Sequence, residues 1–285
     1  MHHLRRTVTL ALVAALPALG LTLMAGTAAN ASPARTGASA RAAAEALATI
    51  KHLAIGQHGT DHRMSSSSQV SGLSQVQSTN WSGYADTGSN FSKATGSWRE
   101  PSVSCSRSTT YAAFWVGIDG YSSSSVEQDG TLIECSGGTA FQYSWWEMYP
   151  TNDIQVVGES VASGDSISAS VVRSGDSYTL SVTDSTHTAN SFNTTQTCSG
   201  CANSSAEWIA EAPCCTSSGG ILPLANFGTW TESGATVTEG STSGVISSFT
   251  DDEITMIDSS SRVKAQPGAL NSSGNGFSVT FERSN

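Results

Sequence analysis

The chain reads as an all-β protein, an antiparallel β-sandwich of two packed sheets of the lectin-like or jelly-roll type, preceded by a removable leader. Three observations predict it. Short runs rich in Val, Ile, Thr, Tyr and Ser alternate with period two, as in Ser166-Ile-Ser-Ala-Ser-Val-Val-Arg, Ser177-Tyr-Thr-Leu-Ser-Val-Thr and Gly276-Phe-Ser-Val-Thr-Phe-Glu. Gly, Asn, Asp and Ser turns cut these runs, with an explicit hairpin signal in Arg173-Ser-Gly-Asp-Ser. No long helical period interrupts the pattern beyond residue 79. Side chains alternate between the two faces of a strand, so period-two patterning buries one face and leaves the other polar.

The N-terminus reads as an address. Arg5 and Arg6 precede an apolar run from Val8 to Leu23 broken by Pro17, and Ala29-Asn-Ala31 supplies the small residues a signal peptidase accepts. Residues 1–31 are therefore expected to be a signal peptide and the chain to be extracellular. The run falls short of the ~20 residues needed to span a bilayer, so no membrane association is expected after cleavage. Residues 32–78 change to Ala, Ser, Gln and Gly, with one helix predicted from Ala38 to Leu53, where Ala and Leu dominate without Gly or Pro. Arg35, Arg41, Lys51 and Arg63 outnumber Glu45 and Asp61 there, and His52, His58 and His62 follow the same stretch. Two readings stay open for it, a pro-segment and a disordered linker. Residues 79–285 form one domain with room for a sizeable core.

That domain carries 7 basic and 21 acidic side chains. Protonation around the reference carboxyl values of ~3.9 to 4.3 would relieve the mutual repulsion, which predicts an acid-adapted protein with a hydroxyl-rich, carboxylate-bearing surface. Nucleic acid is excluded as a partner, because phosphate contacts need clustered Lys and Arg. All six cysteines, Cys105, Cys135, Cys198, Cys201, Cys214 and Cys215, lie in the same domain. An even count in an exported chain favours disulfides, with fifteen pairings open. Adjacent Cys214 and Cys215 fit zinc-ligand spacing poorly, and no histidine cluster supports them, so neither metal nor cofactor is expected. The domain holds one histidine, His187. Histidine is the usual proton carrier near neutral pH, so hydrolytic chemistry here would fall to carboxyl and amide groups at acid pH.

Six motifs follow one another: Asn80-Trp-Ser-Gly-Tyr, Trp115-Val-Gly-Ile-Asp-Gly, Val126-Glu-Gln-Asp-Gly, Trp145-Trp-Glu-Met-Tyr-Pro, Ala206-Glu-Trp-Ile-Ala-Glu and Ala225-Asn-Phe-Gly-Thr. In this order the chain resembles the glutamic peptidases, the eqolisin family, from about Thr79 to Phe281. The resemblance implies a secreted acid endopeptidase made with a pro-segment, acting with a Gln and a Glu. The family glutamine falls on Gln128 and its glutamate on Glu211, with Glu207 the runner-up. Trp115, Asp119, Trp145 and Glu147 match family residues near the pair. Leu132 departs from the pattern, standing where fungal members carry an acid.

The chemistry can be argued from the residues alone. Peptide hydrolysis needs a base for water, a donor for the developing oxyanion and an acid for the leaving nitrogen. One carboxyl can serve as base and then acid, and a carboxamide keeps its hydrogens at every pH. Gln128 suits the oxyanion role and Glu211 the proton role. Protein or peptide substrates and a monomer are expected. Two alternatives use the same residues differently. A glycoside hydrolase would pair two carboxyls, such as Glu147 and Glu211, and a carbohydrate-binding module would use the tryptophans and need neither Gln128 nor Glu211.

Overall fold

The computed structural model describes residues 37–50, 65–70, 73–214 and 220–285. The segment read as a signal peptide lies outside the described residues. One helix, α1 (Gly37–Ile50), precedes seventeen strands among those residues. They are β1 (Ser65–Val70), β2 (Leu73–Ser78), β3 (Trp81–Thr87), β4 (Phe91–Arg99), β5 (Thr110–Ile118), β6 (Val126–Ser136), β7 (Thr139–Tyr149), β8 (Asn152–Gly158) and β9 (Ser166–Ser174). There follow β10 (Ser177–Asp184), β11 (Phe192–Thr197), β12 (Ser205–Glu211), β13 (Thr229–Glu239), β14 (Thr242–Gly244), β15 (Asp251–Ile257), β16 (Val263–Pro267) and β17 (Phe277–Phe281). The predicted helix is present over most of its length, and the predicted hairpin joins β9 to β10 across Gly175, whose φ of 63° suits a tight turn.

Pairing runs through two layers. The first is ordered β1-β2-β15-β3-β12-β5-β6-β7-β8. The second is ordered β16-β17-β13-β4-β9-β10-β11, with β14 folded back on β13. A short ladder between β15 and β16 joins them. All pairings are antiparallel except that of β2 with β15.

Parity along the strands decides what each residue faces. On β5, Ala112, Phe114, Val116 and Ile118 point into the core between the layers, where Phe114 stacks on Trp230 at 5.4 Å and Trp98 meets Trp230 edge-on at 5.9 Å. Each fully buried large apolar side chain contributes roughly 1.5–3 kcal/mol. Ala113 and Trp115 point the other way, into a second apolar cluster with Trp81, Leu132, Tyr143, Trp145 and Ile209. Leu132 thus packs as an apolar member of that outer cluster. Helix α1 lies against the same cluster, burying Ala46 and Ile50, four residues apart on one helical face. Strands β5, β6 and β12 are consequently buried on both faces along almost their whole length.

Disulfides join Cys105 to Cys135 and Cys198 to Cys201, two of the pairings left open by the sequence. Cys214 is also disulfide-bonded. The first closes a separation of 30 residues and ties the approach to β5 onto the end of β6, worth about 3 to 4 kcal/mol on loop entropy. Among the described residues no helix is long and apolar enough to cross a membrane.

One expectation requires correction. The acidic residues do not mainly decorate the surface: most of those in the domain are buried, including Asp86, Glu100, Glu127, Asp129, Glu134 and Glu232. The physical reason is strand parity inside a closed sandwich: Asp86 shares the inward face of Tyr84, Glu127 and Asp129 that of Ile133 and Cys135, and Glu232 that of Trp230. Glu100 is held by Thr131 and Trp98, and Glu134 stands with Leu132 on the covered outer face. Desolvation pushes Asp86 up to about 9, Glu100 up to about 8 and Glu134 up to about 7. Burial likewise raises Glu127, Asp129 and Glu232. The folded chain therefore keeps protons that the unfolded chain releases above about pH 4, and each such group favours unfolding progressively as pH rises through its folded value. Thermal unfolding should give its highest Tm at or below about pH 4 and a falling Tm through pH 7 to 9. A Tm at pH 7 equal to or above that at pH 4 would contradict this.

Candidate active site

Four strands of the first layer bring the sequence-predicted residues onto one face. Gln128 on β6 stands opposite Glu147 on β7 and opposite Gly117 on β5, and Gly117 in turn stands opposite Glu207 on β12. The next row on that face is Trp145, Gly130, Trp115 and Ile209. One row further come Tyr143, Leu132, Ala113 and Glu211. The glutamine and all three glutamates therefore project from the same side of the sheet, away from the inter-layer core.

Glycines make this floor possible. A Cβ on Gly130 would lie 2.0 Å from the Phe114 carbonyl oxygen and 2.7 Å from the Trp115 Cα, so only glycine lets β6 approach β5 beneath the two indoles. At Gly117 the clearance is wider but faces the candidate groups, 3.0 Å to the Trp115 ring and 3.2 Å to the Gln128 Cβ.

Hydrogen bonds fix the polar groups. The Gln128 amide Nε2 donates to Glu147 Oε2 at 2.8 Å. The Trp115 indole Nε1 donates to Glu211 Oε2 at 2.8 Å, and Asn80 Nδ2 donates to Glu211 Oε1 at 3.3 Å. Ser78 Oγ donates to Asn80 Oδ1 at 3.1 Å, which orients the asparagine. Gln128, Glu147 and Glu211 are essentially without solvent exposure. Desolvation holds Glu147 well above the ordinary carboxyl range, the Gln128 hydrogen bond opposes this, and the charge of Glu211 reinforces it. Glu147 and Glu211 thus sense one another.

The remaining predicted residues stand elsewhere. Glu207 shares the row of Gln128 across Gly117, four residues along β12 from Glu211, and burial raises it while Asp119, Glu127 and Asp86 add repulsion. Asp119 accepts from the backbone of Asn203 at 2.7 Å and of Ser204 at 2.8 Å, and from Ser125 Oγ at 3.0 Å. It clamps the loop after β5 to the loop before β12. Trp145 is fully buried beside Gly130, a floor residue in this state of the chain. Asn80 was not singled out from the sequence, although it heads the first motif. His187 pairs with Asp165 at 2.9 Å at another part of the sandwich.

A β-sandwich whose outer face gathers a carboxamide and carboxyls over a tryptophan floor, with no histidine among them, defines a protein built for carboxyl-based chemistry. The chain belongs to the Peptidase A4 family, whose model matches residues 79–280. It is similar to Aspergillopepsin-2 of Aspergillus niger, with 29% identity over 188 residues covering 57% of this chain and 65% of that protein. The chain thus spans just under two thirds of that relative's length. In fold it is similar to scytalido-glutamic peptidase solved with a transition state analog inhibitor, at a TM-score of 0.62 and 22% identity over 72% of this chain and 98% of the other. Aspergilloglutamic peptidase from Aspergillus niger is also similar, at a TM-score of 0.51 and 26% identity over 61% of this chain and 99% of the other.

The Gly130 contact yields a direct test. Gly130→Ala should force β5 and β6 apart and cost about 1 to 3 kcal/mol by overpacking. Denaturant unfolding of the variant would show a lowered midpoint, and an unchanged midpoint would disprove the close approach.

Proposed function

We propose that the chain is a secreted acid endopeptidase that hydrolyses protein or peptide substrates with Gln128 and Glu211. The observation that carries this reading is the buried assembly in which Gln128 is bonded to Glu147 and Glu147 lies within the field of Glu211, in a chain of the Peptidase A4 family. Disulfides suit an oxidising, extracellular setting.

In the proposed mechanism Glu211 takes a proton from a water, whose oxygen attacks the scissile carbonyl carbon. An amide nitrogen carries two hydrogens. Glu147 accepts one from Gln128, and the other is directed to the carbonyl oxygen as it becomes negative. The tetrahedral intermediate collapses as Glu211 returns its proton to the departing nitrogen, breaking the C–N bond. Trp115 and Asn80 hold the two oxygens of Glu211, and Glu147 acts as a positioning residue that fixes the amide plane. A glycosidase would have no use for the carboxamide, so the family and the Gln128 bond favour peptide chemistry.

Denatured casein at about pH 3.5, with pepstatin present to exclude aspartic peptidases, provides the assay. Gln128→Ala and Glu211→Gln should each lose activity by about 100-fold or more while retaining the wild-type circular dichroism. Substantial cleavage by either folded variant rejects the pair.

We further propose that residues 1–31 are a signal peptide and residues 32–78 a pro-segment, with the catalytic domain running from 79 to 285. The supporting observation is that Ile50 and Ala46 of α1 pack into the cluster that holds Trp115, Trp145 and Ile209. The full-length chain keeps its reactive groups closed to solvent, and activity requires the helix to leave. Acidification neutralises carboxylates on the domain and loosens an attachment between a basic leader and an acidic body. Ile50→Asp should remove apolar contact and hasten activation at acid pH, read as a shorter lag before casein cleavage. An unaltered lag, or N-terminal sequencing that finds Ser32 in fully active enzyme, refutes the pro-segment.

A further inference from the structure

At the end of the first layer opposite α1, a cavity of about 980 Å³ opens between three loops: the one joining β5 to β6, the turn joining β7 to β8, and the one joining β11 to β12. Its wall includes Tyr121, Ser125, Thr151, Cys198, Ala202 and Ser204, and no charged side chain lines it. We propose that this cavity is a distal subsite that receives uncharged, hydrogen-bonding residues of the substrate about three positions from the bond cleaved. The proposal rests on the peptidase reading above.

Register fixes the distance. Ser125 precedes Gln128 by three residues, Pro150 follows Glu147 by three, Gly120 follows Gly117 by three and Ser204 precedes Glu207 by three. Ser125, Pro150 and Ser204, each next to a strand end, thus lie about 10 Å beyond the row that carries Gln128 and Glu147, at about 3.3 Å per strand residue, while Gly120 lies in the turn that follows β5. An extended peptide covers the same distance in about three residues. Tyr121 provides continuity, since it lines the cavity and also packs against the apolar cluster over Trp115 and Ile209. Its hydroxyl donates to Asp252.

The walls are tied together before any substrate arrives. Asp119 bonds Ser125 on one side and Ser204 on the other, and the Ala202 amide donates to Ser125 Oγ at 3.4 Å. The Cys198–Cys201 disulfide, spanning three residues, closes the third wall on itself. Hydroxyls from the serines and threonines offer both donors and acceptors, which suits Ser, Thr, Asn or Gln side chains and substrate backbone. A lysine placed there would lose water with no carboxylate on the wall to meet it. Binding energy gained at such a remote point raises kcat as well as lowering KM, because it helps hold the scissile bond in place.

The test uses the full-length chain incubated at about pH 3.5 with peptides of about eight residues and with the same peptides shortened to about four from either end. For one direction of shortening, kcat/KM should fall about tenfold, and replacing the neutral distal residues of the long peptide by Lys should cause a similar fall. Ala202→Trp and Thr151→Trp, both substitutions of exposed wall residues that fill the cavity, should bring the long-to-short ratio towards one. A ratio near one in the wild type, or a ratio that neither substitution changes, overturns the subsite while leaving the peptidase reading standing. Failure of the wild type to cleave any peptide once N-terminal sequencing shows residues 32–78 released sinks the peptidase reading, and the subsite with it.

Discussion

Strands β12, β5 and β6 are covered on both faces, by the second layer on one side and by the tryptophan cluster with α1 on the other. Dehydration of that sheet governs the rest of the molecule. A carboxyl in such a place keeps its proton far above the ordinary range unless donors or cations meet it, and the domain has few cations to offer. Buried Asp86, Glu100 and Glu134 all show the consequence in raised proton affinity. The interior is therefore electrically quiet in acid and increasingly strained as pH rises. An acid-adapted fold follows from where the carboxyls sit, whereas their number on the surface explains little.

The same constraint places the candidate pair. Because neighbouring residues on a strand face opposite sides, the inter-layer core claims Phe114, Val116, Trp208 and Ala210, and leaves Trp115, Gly117, Ile209 and Glu211 for the outer face. A slip of one residue in the pairing of β5 with β12 would bury Glu211 between the layers. The core aromatics thus fix the register, and the register fixes the reactive face. Glycines at 117 and 130 complete the arrangement, since side chains there would meet the Trp115 ring or the backbone of β5.

Much of this was legible in the chain, for identifiable reasons. Period-two runs such as Ser166–Arg173 and Ser177–Thr183 became β9 and β10, because one face of each packs on the core and the other meets water. Gln128 and Glu211 were singled out as the candidate pair through motif order, and parity correctly put positions 207 and 211 on one face. Parity could not show that Glu207 lies near Asp119 and Glu127 while Glu211 lies under Trp115. Nor could it show the burial of the acids, since Glu127, Asp129 and Glu232 occupy inward positions among the core residues and Glu134 an outer position that the second cluster covers. Asn80 escaped notice because an asparagine ahead of a strand is ordinarily a turn residue. Only the pairing of β3 with β12, which sets Trp81 opposite Glu211, brings its amide to the glutamate.

A neutral donor is the sensible partner for a single working carboxyl in this setting. Two buried carboxyls that sense one another ionise less readily together, and each then depends on the charge of the other. Glu147 already illustrates the coupling, since burial raises it most and the charge of Glu211 adds to that. A carboxylic acid held neutral in this way can accept the Gln128 hydrogen bond without competing for the proton of a water. The carboxamide in turn donates with the same strength across the acid range. In the proposed mechanism proton transfer is then left to Glu211, whose two oxygens are already met by the indole of Trp115 and the amide of Asn80. The proposed division of labour between a supporting carboxyl whose proton affinity burial raises, a pH-independent donor and a working carboxyl follows from burying all three on the same dry face.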